Sequence, residues 1–157
     1  MTPDGRDDPS WAEVAGRLAP ARNYWLGTTS RDGSPHAAPV WGVILDDRFY
    51  IYSERRTAKA KNLAHDSRAV VHLESAEEVV IVHGRLDDVG GPGDQPGVVD
   101  ALSAKYDAPE DDQYLPSGDE SFDVLYLFRP DRALLWSLAD YDNTQRRWAV
   151  DQDSRSD

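Results

Sequence analysis

The sequence contains no cysteine, which excludes disulfide bonds, thiolate metal ligands and cysteine nucleophiles. It has no apolar run long enough to span a bilayer, and residues 1–10 are acidic and polar, unlike a signal or transit peptide. It also lacks the Gly-x-Ser-x-Gly turn of hydrolases and the glycine-rich phosphate loops of common nucleotide-binding folds. We therefore expect a cytoplasmic protein that belongs to neither of these groups.

Positive charge is scarce in this chain. There are 17 basic residues against 29 acidic ones, which gives a formal net charge of -12, and only three of the basic residues are lysines. An acidic protein repels phosphate backbones and anionic lipid headgroups, which argues against nucleic acid or a membrane as a main partner. Four of the basic residues nevertheless fall within seven positions, namely Arg55, Arg56, Lys59 and Lys61. This concentration predicts a local site for a small anion.

The basic cluster lies at a predicted turn from strand to helix. An aromatic and β-branched run ends at Ser53, and Thr57 is a candidate N-cap for a helix over residues 57–65. Cationic side chains, a hydroxyl and the free N–H groups of a helix start are the donors that a phosphate group requires. Lys59 and Lys61 point to different sides of such a helix, so we expect only Lys59 to bind. The alternative is a solvated helix face whose charges serve solubility.

A second candidate segment, residues 34–43, carries two prolines and a Trp-Gly pair. Proline interrupts strand pairing, and Trp41 followed by Gly42 offers a stacking surface beside backbone that a ligand can approach closely. The segment therefore suits contact with a flat ring, although an edge strand with a core tryptophan explains the pattern equally well. The four histidines have no metal-ligand spacing, so we expect no metal site.

Short β-branched and aromatic runs between turn residues predict an α+β protein that is mainly β, a small antiparallel barrel with short flanking helices. Hairpin signals at Asp32-Gly33 and Asp46-Asp47 predict a three-stranded meander over residues 23–53. We expect one domain over residues 10–150, and the Gly/Pro-rich and acidic region 90–120 to be peripheral to its core. We expect residues 1–9 to be a flexible N-terminal segment and residues 151–157 to be a polar C-terminal tail. The predicted strands are 23–29, 36–45, 48–53, 68–73, 79–86, 122–128, 133–138 and 147–150, the predicted helices are 10–18, 57–65 and 98–106, and a bulge is expected at Gly84.

Four motifs follow one another along the chain in a specific order. They are W-L-G-T-T-S-R-D-G-S-P-H-A-A-P-V-W-G-V, then F-Y-I-Y-S, then T-A-K-A-K-N-L-A-H-D-S-R-A-V-V-H-L-E-S, then V-V-I-V-H-G-R-L. This order resembles the pyridoxamine 5'-phosphate oxidase-like family of flavin-binding split β-barrels, in the branch that uses coenzyme F420 or FMN. The resemblance implies a split antiparallel barrel of about six strands, which forms a homodimer with two cofactors in clefts between the subunits.

The resemblance also assigns residues to parts of the cofactor. Where the family commonly has an arginine this chain has Ala58, and Arg55 and Arg56 are expected to take its place on the phosphate. A late Arg-Trp pair in the family approaches the cleft of its own or the partner subunit, and Trp136 could do likewise. By position, Pro39, Val40 and Trp41 would line the ring, Tyr52 and Ser53 the ribityl chain, Thr57, Lys59 and Lys61 the phosphate, and Arg147 and Trp148 would form the late pair.

The function implied by the resemblance is an oxidoreductase that transfers hydride between F420 or FMN and a small organic acceptor. F420 comes first because its longer anionic tail would use Arg55 and Arg56 in addition to Lys59. Residues 141–148 hold no counterpart of the Arg-x-His element with which true pyridoxamine 5'-phosphate oxidases bind substrate, so vitamin B6 oxidation is not the leading expectation and a pyridoxamine 5'-phosphate oxidase-like activity is kept as an alternative. The alternatives are a protein that binds the cofactor without turnover, and a haem-handling split barrel with His36 or His72 on the iron.

Overall fold

The computed structural model describes residues 8–150, so the expectations for residues 1–7 and for the tail 151–157 lie outside the described part. Within it, eight strands form one curled antiparallel sheet with short helices around it, which confirms the predicted fold class. The strands are β1 Tyr24–Thr29, β2 Pro35–Val40, β3 Gly42–Leu45, β4 Arg48–Ser53, β5 Arg68–Leu73, β6 Glu78–Asp88, β7 Val124–Ser137 and β8 Arg146–Ala149. The helices are α1 Trp11–Leu18, α2 Ala58–His65, α3 Pro96–Lys105 and α4 Tyr141–Thr144, with 3-10 turns at Pro92–Asp94, Pro109–Tyr114 and Leu138–Asp140.

The predicted meander over residues 23–53 is wrong, because the chain changes partner at Trp41. The strand order is β2-β1-β5-β6-β7-β4-β3, with β8 paired to β7, so β2 and β3 lie at opposite ends of the path although one residue separates them. A Cβ on Gly42 would lie 2.6 to 2.9 Å from atoms of Phe49, Tyr50 and Ile51, so the close approach of β3 to β4 requires glycine there. The predicted single strand over residues 36–45 is therefore two strands with different partners.

The predicted break between residues 122–128 and 133–138 is also wrong. One strand, β7, runs through this region and pairs with β6 along its length. The register shifts between His83 and Gly84, where Gly84 faces Pro130 and His83 faces Arg132. Proline is tolerated inside the sheet because this bulge, which was expected at Gly84, removes one ladder position.

The main core fills the inside of the curled sheet, and α1 covers part of it. Ser10 caps this helix, since its hydroxyl accepts a hydrogen bond from the Glu13 N–H, and Val14 and Leu18 on the inner face are fully buried. The hydroxyl of Tyr24 donates to the Leu18 carbonyl at 2.7 Å, which ties the helix end to β1. The helix predicted from residue 10 is confirmed.

The region 90–120 is not peripheral, as its composition had suggested. Val98, Leu102 and Leu115 are at most 3% exposed and belong to a second apolar cluster on the other side of the sheet, with Tyr52 and Leu125 from β4 and β7. Burial of side chains from α3 against these strands makes the helix part of the folded domain.

Candidate functional site

A cavity of about 480 Å³ opens where the chain leaves β2, at the end of β4 and at the start of α2. The loop that follows α3 closes its remaining side with Tyr114 and Phe122. Seven of the twelve residues predicted to bind a cofactor line this one cavity. They are Pro39, Val40, Trp41, Tyr52, Ser53, Thr57 and Lys59, and the other lining residues are Asn23, Glu54, Tyr114 and Phe122.

Hydroxyl groups and a lysine form one part of the cavity lining. Thr57 is the N-cap of α2: its hydroxyl accepts from the Ala60 N–H and donates to the Glu54 carbonyl oxygen at 2.7 Å. The Ser53 hydroxyl lies 3.1 Å from that of Thr57. Partial burial lowers the pKa of Lys59, while the charge of Glu54 opposes the shift. Because the Thr57 hydroxyl donates its proton to the Glu54 carbonyl, the Lys59 amine and the start of α2 are the groups here that suit an anion.

The four basic side chains of the cluster diverge in space. Arg55 forms a bidentate pair with Asp88, at 2.6 and 3.2 Å, and Arg56 pairs with Glu54 at 2.5 Å. Lys61 is exposed and borders, with Arg55, a separate cavity of about 190 Å³ beyond α2. Lys59 alone of the four lines the larger cavity. Arg55, Arg56 and Lys61 are therefore not brought to the predicted phosphate position, because two are held by carboxylates and Lys61 lies on another side of the helix.

Another part of the cavity lining is aromatic. The ring of Trp41 stacks on Tyr106 with 4.2 Å between centroids and 4° between planes, and its Nε1–H donates to Asn23 Oδ1 at 2.8 Å. Tyr114 stands edge-on to Trp41 with centroids 5.9 Å apart. The lining of the cavity thus combines a flat aromatic wall with a cationic side chain beside the start of a helix, and a planar ring with a phosphate-bearing tail requires both.

The pattern of a known family matches most of the chain. The match extends over residues 10–136 and is to the family described as Pyridoxamine 5'-phosphate oxidase. The chain belongs to the pyridoxamine 5'-phosphate oxidase family. No curated protein matches it closely enough in sequence to count as a relative.

Solved structures share the fold of this family member. A haem-binding protein from Mycobacterium smegmatis is 20% identical with a TM-score of 0.69, and the match covers 92% of this chain and 60% of that one. A conserved hypothetical protein from Mycobacterium tuberculosis is 24% identical with a TM-score of 0.67, over 84% of this chain and 88% of that one. A protein named F420 reductase is 20% identical with a TM-score of 0.59, over 74% and 93%. At these identities the likeness shows the fold alone.

The late Arg-Trp pair that the family resemblance assigned lies outside the cavity. Trp148 is 2% exposed and packs in the main core against Trp11, with ring centroids 5.3 Å apart. Arg147 is exposed on β8 and does not line the cavity. Trp136, the third candidate, packs edge-on to Tyr141. β8 pairs with the second half of β7, whereas β4, at whose end the cavity opens, pairs with the first half.

Four residues that line the cavity were missed by the sequence analysis of this family member. Tyr114 comes from the region 90–120 that was taken as peripheral, although an aromatic residue inside an acidic loop is a usable signal of packing or binding, and Phe122 was taken only as the start of a strand. Asn23 and Glu54 directly flank strands β1 and β4, where a loop side chain can turn toward a cavity.

Over residues 8–150 no group of three or more histidine, aspartate or glutamate side chains could hold a metal ion. None of the helices in that range has the length and apolar character needed to cross a bilayer.

Behind the aromatic wall lies a lysine without a carboxylate partner among the described residues. Lys105 Nζ donates to the Tyr24 hydroxyl and to the Gly42 carbonyl, both at 2.8 Å. Burial lowers the pKa of Lys105 to about 8. In the unfolded chain the pKa returns to its ordinary value of 10.5, so the unfolded state binds more protons between pH 8 and 10.5.

We therefore expect the free energy of unfolding to rise with pH as Lys105 loses its proton in the folded state. The gain from pH 7.5 to 9.5, measured by urea unfolding, should be about 1–2 kcal/mol after allowance for solvent screening. Lys105→Met removes the ionisable group, while the Tyr24 hydroxyl keeps its bond to the Leu18 carbonyl. An equal rise in the variant would show that other groups cause the pH dependence.

Proposed function

We propose that the protein is an oxidoreductase that binds FMN or F420 in this cavity and transfers hydride between that cofactor and a small organic acceptor. The observation that carries the proposal is the presence, in one cavity, of the wall formed by Trp41 and Pro39 and of the Lys59 amine beside the start of α2. The family is one of flavin-binding proteins, which supports the cofactor class. When bound, the cofactor supplies the hydride chemistry, and the protein supplies orientation and a partly dry cavity.

The residues present fit such a cofactor. Lys59 offers a charge to the phosphate, and the start of α2, which Thr57 caps, adds the favourable end of its dipole. Glu54 is the carboxylate in the wall, and Arg56 and the Ser121 hydroxyl both donate to it, so its charge is largely compensated. Hydride transfer requires no free acid or base beside it, which agrees with a wall where the one carboxylate is already paired.

The structure removes the reason for preferring F420 over FMN. The reason for placing F420 first was that its longer anionic tail would use Arg55 and Arg56. Both arginines are engaged by carboxylates, Asp88 and Glu54, so this reason no longer separates the two cofactors. A neighbour named F420 reductase keeps F420 in the proposal beside FMN.

We also propose that two copies of the chain form a homodimer with the cofactor near their interface. Tyr24 and Leu26 point into the core, so Trp25 between them points outward, and it is 38% exposed. Trp25 faces Pro39 on β2 and His72 on β5 across the sheet, and Pro39 also lines the cavity. An apolar outer face that reaches the rim of the cavity suits contact with a second copy.

The test is a titration of the purified protein with FMN and with F420, followed by absorbance and fluorescence. We expect one of them to bind with micromolar or tighter affinity, and sedimentation of the same samples to show a dimer. Reduction of acceptors such as quinones by the loaded protein then separates an enzyme from a protein that binds the cofactor without turnover. If neither cofactor binds, the proposed function is wrong.

A Soret band in the purified protein would support the haem alternative instead. None of the residues in the cavity wall is a histidine, so the structure gives this alternative no ligand there.

A further inference from the structure

The indole of Trp41 is held by contacts on three sides before any ligand binds. Tyr106 covers one face of the ring in a near-parallel stack at 4.2 Å, and Asn23 accepts the hydrogen bond of Nε1. The guanidinium carbon of Arg22 lies 4.7 Å from the centroid of the indole. Trp41 follows β2 at the point where the chain changes partner, where sheet pairing holds the backbone least. The contacts of its side chain therefore fix the indole of Trp41 at a point where strand pairing restrains the backbone only weakly.

Tyr106 lies behind Trp41 as seen from the cavity. Trp41 lines the cavity, whereas Tyr106 does not and is 2% exposed. The hydroxyl of Tyr106 donates to the Arg22 carbonyl at 2.6 Å and accepts from the Gly42 N–H at 3.1 Å. These bonds attach Tyr106 to Arg22, which lies beside the indole, and to Gly42, which directly follows Trp41. They therefore hold the Tyr106 ring in its position against the indole.

An ion pair lies beside the indole, and its two partners differ in exposure, since the side chain of Arg22 is half-exposed and that of Asp111 is buried. Arg22 donates to both carboxylate oxygens of Asp111, at 3.1 and 2.7 Å. Asp111 is 3% exposed, and hydrogen bonding from Arg22 lowers the pKa of its carboxyl group. A bidentate pair fixes the plane of the guanidinium, so Arg22 keeps its place beside the indole of Trp41.

We propose that Tyr106 and the Arg22–Asp111 pair are positioning residues that hold Trp41 as a preformed platform for the planar ring of the ligand. They touch neither the cavity nor its occupant and act through Trp41. A ring that is already fixed loses little conformational freedom on binding, so more of the stacking energy remains as affinity. The inference rests on the proposed function, because it takes a flat ring as the ligand of this wall.

The experiment compares two probes in the full-length protein. The first is FMN, or F420 if that is the cofactor that the wild type binds, and the second is ribitol 5-phosphate, which has the phosphate and chain but no ring. Tyr106→Leu removes the stack and should weaken binding of the ring-bearing probe by about fivefold to tenfold, with ribitol 5-phosphate unchanged. Tyr106→Phe keeps the stacked ring and loses only the hydroxyl bonds to Arg22 and Gly42, so its effect on the ring-bearing probe should be smaller than that of Tyr106→Leu, with ribitol 5-phosphate again unchanged.

Asp111→Asn is the second variant, in case Tyr106→Leu fails to fold. It frees Arg22 while keeping the shape of the side chain, and should weaken the ring-bearing probe by about threefold without affecting ribitol 5-phosphate. Less quenching of the fluorescence of bound FMN is expected in both Tyr106→Leu and Asp111→Asn, because the indole is no longer held in one orientation.

The outcomes separate this inference from the proposed function. Equal losses for the two probes would show general damage to the cavity, and unchanged binding of the ring-bearing probe in every folded variant would show that the wall needs no support. Either result overturns the inference and leaves the proposed function standing. A wild type that binds neither FMN nor F420 overturns the proposed function first, and the inference with it.

Discussion

Replacement of Lys59 by methionine is expected to weaken cofactor binding by about 10-fold to 100-fold, which is the range for loss of one hydrogen bond to a charged group. Lys59 alone of the four clustered cations lines the cavity, and its amine is partly desolvated there. An anion that binds beside it meets a charge that water screens only in part, which strengthens the pairing. Titration with FMN and with F420 measures the change.

Lys61→Met is the matched control for this prediction. It removes the same charge from the same helix, two residues away, at a side chain that borders the separate small cavity. We expect its effect on affinity to stay within about threefold, since only long-range attraction is lost. Equal losses in the two variants would mean that net charge, and not a positioned amine, controls binding. That result would contradict the site as placed here.

Replacement of Leu102 by alanine is expected to lower the free energy of unfolding by about 3 kcal/mol, because a large buried side chain leaves a cavity in a packed cluster. Leu102 is fully buried, and it packs from α3 onto the strands that carry Tyr52 and Leu125. Urea unfolding followed by circular dichroism measures the loss.

Leu138→Ala removes the same atoms from a side chain that is 60% exposed, and it should change the free energy of unfolding by less than about 0.5 kcal/mol. If Leu102→Ala is as mild as this control, α3 does not belong to the cooperative core. The helix would then be the peripheral element that the composition of residues 90–120 suggests.

Local structure in this protein follows from short stretches of sequence. The two aspartates of the β3–β4 turn both adopt positive φ, at 53° and 60°, as a two-residue hairpin turn requires. Thr57 caps α2, and the bulge lies at Gly84, as predicted. These features depend on residues a few positions apart, which is the range over which turn chemistry and capping act.

Pairing across the sheet does not follow from such local rules. Residues 36–45 were predicted as one strand, and only the pairing partners, β1 for one half and β4 for the other, divide the segment at Trp41. Similarly, Pro130 in the sequence suggests the end of a strand, and its place inside β7 is explained only by its pairing with Gly84 across the sheet. Long-range register is set by contacts between segments that are far apart in sequence.

The site could be predicted in part for the same reason. The family pattern named the residues of β2, β4 and α2 that line the cavity, since these elements are close to one another along the chain. Arg55 pairs with Asp88, which lies 33 positions later in the chain. Nothing in the sequence indicated this pairing, so Arg55 was predicted to bind a phosphate. The aromatic wall needed Tyr106 and Tyr114, which only the fold of the loop after α3 brings to Trp41.

The single-residue link at Trp41 bears on how a ligand enters and leaves. Two strands that diverge from one residue cannot move apart at that point without displacing the residue itself, and Trp41 is fastened by Asn23 and Tyr106. Exchange of the ligand therefore depends on the loop after α3, where Tyr114 is 53% exposed at the rim of the cavity. Movement of that loop, and not parting of the barrel, is expected to set the rate of release, as dissociation kinetics would report.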